Sequence, residues 1–187
     1  MSLPAAAAHD INGNFSTAGG TTLGAGIYTV NGYVALGSGG GGDVSCNGAT
    51  VGMYGSGVGF VISGVSTPSS GTCSGSAFCL ASGYGHVTLT APTTGTLTNL
   101  VMIGPTSSSY TGGATFAEGA SSTTLSGAFY FPYGPVTLSG AASVGNGTGQ
   151  CLELIGSQVT LSGGSTLAST CSGLAGTSNS AQIVLVQ

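Results

Sequence analysis

The chain of 187 residues contains no Lys and no Arg, and its four acidic residues leave a formal net charge of −4. Binding to nucleic acid or to anionic membranes depends mainly on Lys and Arg, so both classes of partner are excluded, and trypsin has no cleavage site. The hydrophobic content of 41% argues against intrinsic disorder, and the length suffices for one domain with a buried core.

The composition favours β-structure along the chain. Gly, Ser and Thr are poor residues for helix interiors, and the apolar segments are short, β-branched or aromatic, and bounded by turn-forming residues. Residues 1–19 are predicted to form an N-terminal extension that is loosely ordered or packed on a neighbouring subunit, and residues 20–187 to form a single domain. The predicted strands of that domain are Gly26–Val30, Tyr33–Leu36, Gly59–Ile62, Val87–Thr90, Leu100–Ile103, Ala128–Phe131, Val136–Leu138, Leu152–Ile155, Val159–Leu161 and Ile183–Val186.

An internal repeat selects among the all-β architectures. Val136–Gly140 reads Val-Thr-Leu-Ser-Gly, and the same five letters return as Val159–Gly163. This spacing falls within the period of about 20–24 residues that is typical of one coil of a parallel β-helix, or β-solenoid, in which residues one period apart lie about 4.7–4.9 Å apart along the axis. Columns of neutral side chains suit such stacking, whereas columns of like charge oppose it. We therefore predict a β-solenoid, with a β-sandwich as the alternative.

The five cysteines indicate an oxidising compartment. Cys73 and Cys79 are separated more widely than the Cys pairs of zinc clusters. Cys151 and Cys171 would lie on neighbouring coils and are predicted to form a disulfide. Pairing among Cys46, Cys73 and Cys79 is left open, because an odd number of cysteines leaves one thiol free or bonded to another chain. A buried free cysteine is an alternative for any of the five.

The ionisable residues form no recognisable catalytic set. The separation of Glu118 and Glu153 is not a whole multiple of the spacing between the two Val-Thr-Leu-Ser-Gly segments. Stacking therefore does not bring these carboxylates together as the pair of a glycoside hydrolase. His9 and Asp10 belong to the predicted N-terminal extension, and His86 is interpreted as a polar residue at a strand edge. The sequence predicts that the protein is not an enzyme, with no catalytic, cofactor-binding or metal-binding residue.

Several segments resemble a known family. Thr22–Gly32 and Leu125–Pro132 are similar to the C-terminal β-repeat region of TadG-like proteins, which are tight-adherence (Flp) pilus-assembly proteins. Val136–Gly140, Cys151–Ile155 and Val159–Gly163 continue the resemblance, which covers most of residues 20–187. It implies an extracellular repeat region associated with a cell surface, and it implies no catalytic residues.

Together these observations predict an extracellular or cell-surface structural protein that assembles with copies of itself into a protease-resistant filament or fibre. Strand edges at the ends of a solenoid are usually protected by charged residues or caps. The apolar segment Ile183, Val184, Leu185 and Val186 lacks such protection and is predicted to pair with a neighbouring copy, by end-to-end stacking or strand donation. No apolar run is long enough to span a bilayer, so no membrane insertion is expected.

The alternative function is an adhesin-like, glycan-binding or ice-binding module of a pilus-associated cell-surface protein. Its partners would be other cells or surfaces. Threonines such as Thr88 and Thr90 could order water or meet a surface, although a Thr-x-Thr motif does not recur regularly along the chain.

Overall fold

The computed structural model describes residues 1–37, 53–82, 84, 87–117, 123–139, 143–144, 151–164 and 166–167, and the regular elements of this part of the chain are all β-strands. The first nine are β1 (Ser2–Leu3), β2 (Ala8–Ile11), β3 (Phe15–Thr17), β4 (Thr21–Leu23), β5 (Gly26–Val30), β6 (Val34–Leu36), β7 (Met53–Ser56), β8 (Val58–Ile62) and β9 (Ser76–Leu80). The next nine are β10 (Val87–Thr90), β11 (Leu100–Ile103), β12 (Gly113–Phe116), β13 (Thr123–Phe131), β14 (Val136–Leu138), β15 (Ser143–Val144), β16 (Leu152–Gly156), β17 (Val159–Leu161) and β18 (Thr166–Leu167).

Consecutive strands belong in turn to three stacks of parallel strands. Sheet 1 contains β1, β4, β7, β10, the first part of β13, β15 and β18. Sheet 2 contains β2, β5, β8, β11, the second part of β13 and β16, and sheet 3 contains β3, β6, β9, β12, β14 and β17. One passage through the three sheets is called a coil below. The described residues complete six coils, and β18 begins a seventh.

The all-β prediction is confirmed, and the parallel sheets are consistent with the β-solenoid class. The repeat that suggested this class stacks as expected, because Val136 pairs with Val159 in a parallel register. The number of residues between paired positions is not the same in every coil. Val34 pairs with Phe78, and this interval is almost twice the interval between Val136 and Val159. The central coils are longer because they carry segments outside the strands, such as residues 63–75.

The first coil lies within the predicted N-terminal extension. Strands β1, β2 and β3 occupy residues 2–17 and pair with β4, β5 and β6, one in each sheet. This differs from the sequence-based boundary at residue 20. Strands of two to four residues carry too little alternation of apolar and polar positions to be recognised from the sequence, and they are ordered here by pairing with the second coil.

Glycine makes the corner between sheets 1 and 2 possible. Gly57 separates β7 from β8 and has a φ of 69°, a left-handed conformation that residues with a Cβ adopt at a cost. Gly127, at the bend of β13, has a φ of 132°, and a Cβ there would lie 2.7 Å from the side chains of Ala91 and Val101. The chain therefore turns sharply at these two positions and approaches its neighbours closely.

Apolar side chains from the three sheets fill the interior. Tyr28, Phe60, Met102 and Phe129 follow one another in register along sheet 2, and all four are fully buried. Phe129 also meets Phe116 of sheet 3 at a centroid distance of 5.8 Å and an edge-on angle of 62°, a favourable aromatic geometry. In strands such as β4, β7 and β10, alternate residues thus form the core, and the residues between them form the outer faces.

Candidate functional site

The structure joins Cys73 to Cys79 by a disulfide with a Cα–Cα distance of 5.4 Å. Cys151 is also disulfide-bonded. Cys46 and Cys171 lie outside the described residues, so the Cys151–Cys171 pair stays a prediction. A disulfide is compatible with an oxidising compartment.

His9 and Asp10 are neighbours in β2, but their side chains lie on opposite faces of the strand. His9 is in register with buried Tyr28, and the two rings stack with centroids 4.3 Å apart and an interplanar angle of 12°. The Nε2 atom of His9 is buried without a hydrogen-bond partner. Asp10 is exposed and in register with Thr29. The two residues therefore form no acid–base pair.

In the described part of the chain, the other acidic residues form no catalytic or metal-binding group with one another. Glu153 lies on β16 beside Ala128, while Glu118, Asp43 and His86 lie outside the described residues. Among the described residues, no three His, Cys, Asp or Glu side chains form a group that could hold a metal ion.

Strand β17 is the last strand of sheet 3 among the described residues, and it presents core residues there. Val159 and Leu161 are in register with Val136 and Leu138, whose side chains are fully buried. The exposed fractions of Val159 and Leu161 are nevertheless 42% and 46%, and β14 is the one partner of β17 among the described strands. We call β16 and β17, each the last described strand of its sheet, the open edge. The predicted polymerisation strand, residues 183–186, lies outside the described residues.

The first coil presents a second edge at the opposite end of the stacks. Among the described strands, β2 pairs with β5 alone and β3 with β6 alone. Phe15 of β3 is buried, whereas Leu3 and Ile11 are partly buried and pack against the core. We call β1, β2 and β3 the first-coil edge. It continues the same three sheets, with strands running in the same direction as those at the open edge.

A groove of about 500 Å³ lies where the strands of sheet 2 end. Each of the first three coils contributes a polar residue immediately after its sheet 2 strand: Asn12 after β2, Asn31 after β5 and Ser63 after β8. The backbone N–H of Asn31 donates to the carbonyl of Ile11 at 3.0 Å, and that of Ser63 donates to the carbonyl of Val30 at 2.9 Å. The parallel ladder therefore extends one residue past the strands and holds the three polar residues in register.

The side chains of these three residues are also linked. The amide Nδ2 of Asn31 donates to Oδ1 of Asn12 at 3.3 Å, and the hydroxyl of Ser63 donates to Oδ1 of Asn31 at 3.3 Å. We call Asn12, Asn31 and Ser63 the polar ladder. Asp10 and Thr29 precede it on the outer face of the sheet and complete a hydrogen-bonding wall of the groove.

The segment between β11 and β12 also contributes to the lining of the groove. Thr106, Ser107 and Tyr110 line the groove, and the backbone N–H of Tyr110 donates to the carbonyl of Ser107 at 3.0 Å in a tight turn. Pro105 is buried and packs directly over Gly64, where the absence of a Cβ leaves room for the proline ring. The exposed fraction of the Tyr110 side chain is 39%, so its ring is available at the groove.

The groove was not predicted from the sequence, although a signal for it exists. Ile11-Asn12-Gly13, Val30-Asn31-Gly32 and Ile62-Ser63-Gly64 share an aliphatic residue, a small polar residue and a glycine. The three triplets are unevenly spaced, and neither interval equals that of the Val-Thr-Leu-Ser-Gly repeat, so a search for that period passes over them. The contribution of Tyr110 depends on the path of its loop and has no such signal.

Comparison of the chain with models of protein families, with curated proteins and with solved structures finds no match. In the part of the chain that the structure describes, no helix has the length and apolar character needed to cross a membrane.

Proposed function

We propose that the chain is a β-solenoid, and that copies of it associate through their open and first-coil edges into an extracellular or cell-surface filament. The exposure of core residues at the open edge carries this proposal. Val159 and Leu161 continue columns that are buried in β6, β9, β12 and β14, so a further coil, from this chain or from a neighbouring copy, is the natural cover for them. Covering each side chain would contribute about 1 kcal/mol, since each is already more than half buried.

The two edges are complementary in backbone as well as in side chains. Each of the three sheets is parallel throughout its described strands, so a first-coil edge placed on an open edge continues the same ladders. Such a contact joins two different surfaces of identical subunits, and it propagates when the rotation between subunits does not close a ring. The product would be a filament whose core columns run through many subunits.

The charge distribution also supports association. Exposed strand edges are commonly kept apart by Lys and other charged residues, and the chain has no Lys or Arg. The strands at the two edges, β1–β3 together with β16 and β17, contain two acidic residues, Asp10 and Glu153. No column of like charge opposes stacking.

The extracellular setting is part of the proposal. It is supported by the Cys73–Cys79 disulfide, by the absence of tryptic sites, and by the resemblance to the C-terminal repeat region of TadG-like pilus-assembly proteins. A surface-exposed filament has to resist proteases, and a chain without Lys or Arg resists those that cleave after basic residues.

Replacing Val159 with Lys tests the proposal, with Val65→Lys as the matched control. Val65 is the same residue type, has an exposed fraction of 49%, and lies between β8 and β9, away from both edges. We expect filaments of uniform width from the unmodified protein and from Val65→Lys, because neither chain carries a change at an edge. Val159→Lys should remain monomeric, because an unpaired ammonium group would be buried at the contact.

Negative-stain microscopy and light scattering after size exclusion measure the two outcomes, and far-UV circular dichroism confirms that both variants retain β-structure. Filaments of Val159→Lys as abundant as those of the control would overturn the edge contact. A monomeric unmodified protein at high concentration would overturn self-assembly itself.

A further inference from the structure

We propose that the groove beside sheet 2 is a binding site for a neutral oligosaccharide. This inference does not depend on self-assembly, since residues of a single chain line the whole groove. Its volume of about 500 Å³ lies within the range typical of small-ligand sites.

The polar ladder supplies hydrogen-bonding groups at a regular spacing. Neighbouring strands of a sheet lie about 4.7–4.9 Å apart, so Asn12, Asn31 and Ser63 offer one polar group per step of roughly this length, similar to the length of one sugar ring. Amide and hydroxyl groups both donate and accept hydrogen bonds, which matches the hydroxyl groups of a saccharide. The bonds within the ladder hold these groups in place before a ligand arrives, which reduces the entropy lost on binding.

Tyr110 supplies an aromatic ring to the lining of the groove. The face of an aromatic ring carries partial negative charge, and the C–H groups of a sugar ring carry partial positive charge, so the two surfaces attract one another. Val61 adds an apolar part to the lining. A saccharide presents hydroxyl groups at its edge and C–H groups on its face. The polar ladder can bind the hydroxyl groups, and the Tyr110 ring can contact the C–H groups.

The charge of the groove selects among saccharides. Its lining contains one carboxylate, Asp10, and no cationic side chain. A carboxylate of the ligand would be repelled by Asp10 and would find no cation to balance it, whereas the hydroxyl groups of a neutral sugar can donate to Asp10. We therefore assign the site to neutral oligosaccharides and not to uronates.

Isothermal titration calorimetry of the full chain tests this assignment. The probes are hexasaccharides of glucose, mannose and galactose, with an oligogalacturonate as the anionic comparison. We expect at least one neutral hexasaccharide to bind and the oligogalacturonate to bind at least tenfold more weakly. Tyr110→Ala should lower the affinity for the neutral hexasaccharide at least tenfold. Tyr133→Ala is the matched control, because Tyr133 is also an exposed tyrosine (44%) in a turn and lies outside the groove lining.

Asp10→Asn provides a second variant, which keeps the size of the side chain and removes its charge. It should narrow the difference in affinity between the neutral hexasaccharide and the oligogalacturonate by several-fold, a change that general loss of folding would not produce. The proposal is overturned if no neutral hexasaccharide binds the unmodified protein at millimolar concentration. It is equally overturned if Tyr110→Ala binds as the unmodified protein does, or if Tyr133→Ala loses as much affinity as Tyr110→Ala.

Discussion

At the scale of single residues, buried tyrosines donate hydrogen bonds from their hydroxyl groups to backbone carbonyls. The hydroxyl of Tyr28 donates to the carbonyl of Gly24 at 2.8 Å, and the hydroxyl of Tyr84 donates to that of Gly19 at 3.0 Å. Burial raises the pKa of both phenols above the ordinary value of 10.0, and repulsion from the Tyr54 phenolate raises the pKa of Tyr84 further. The neutral form of each ring is therefore favoured in the folded state.

These pKa shifts predict the effect of alkali on stability. Between the ordinary value of 10.0 and the higher folded values, the unfolded chain has lost phenolic protons that the folded chain retains. The contribution of these two phenols to the free energy of unfolding should therefore be constant up to about pH 10 and then fall as pH rises. Urea denaturation at each pH measures it.

Tyr84→Phe should make this decline shallower, because one of the two groups no longer ionises. The matched control is Tyr133→Phe, which removes an exposed phenol. Its free energy of unfolding should fall with pH as steeply as that of the unmodified protein. A decline of equal slope in Tyr84→Phe would contradict the assignment to Tyr84.

At the scale of elements, the Cys73–Cys79 disulfide attaches a long segment to the outside of sheet 3. Cys79 lies in β9, in register with Ala35 and Thr115, and its side chain is fully buried. It is covered from outside by residues 63–75, which contain Cys73 and are closed by a bond from the N–H of Gly75 to the carbonyl of Pro68 at 2.9 Å. The disulfide thus lets one coil carry an insertion without exposing the sheet beneath it.

Removing both cysteines, as Cys73→Ala with Cys79→Ala, should lower the free energy of unfolding by about 2 kcal/mol, because the closed loop is short. The local effect should be larger than the global one. Hydrogen exchange followed by mass spectrometry should show faster exchange in residues 63–75, while β14 keeps the protection of the unmodified protein. Unchanged exchange in residues 63–75 would show that packing alone, and not the disulfide, holds the segment.

Nine of the eighteen described strands overlap a strand predicted from the sequence. The predictions over residues 26–30, 87–90, 100–103, 136–138 and 159–161 match β5, β10, β11, β14 and β17 residue for residue, because β-branched content and flanking glycines act locally. The strands β4, β7, β9 and β12 were not predicted. Thr21–Leu23 and Gly113–Phe116 contain too few apolar residues to stand out, and their partners in neighbouring coils order them.

At the scale of the whole molecule, neutral side chains allow columns to run through every coil. A column with one charge per coil would bring like charges about 4.7–4.9 Å apart, and the four acidic residues of the chain are too few to build one. The same neutrality removes the usual barrier to pairing between copies. The near absence of charged side chains therefore favours both the stability of the subunit and the association of subunits.

Deletion of residues 182–187 distinguishes two forms of association. If the apolar segment at residues 183–186 is donated to a neighbouring copy, the shortened chain should be monomeric at concentrations where the full chain forms filaments. If copies stack through the first-coil and open edges without donation, filaments should persist. Light scattering and negative-stain microscopy separate the outcomes, and persistence of filaments would contradict strand donation.

The sequence alone determined the all-β class of the structure. Composition, local alternation and a single clear repeat are sufficient for an all-β chain with stacked strands, because these properties depend on neighbouring residues. Only the tertiary structure decided which strands are neighbours, since the shift along the chain from Val34 to its partner Phe78 is more than twice the shift from Ala8 to its partner Ile27. The groove, the Cys73–Cys79 bond and the exposed core residues of β17 all follow from that register, which no local pattern encodes.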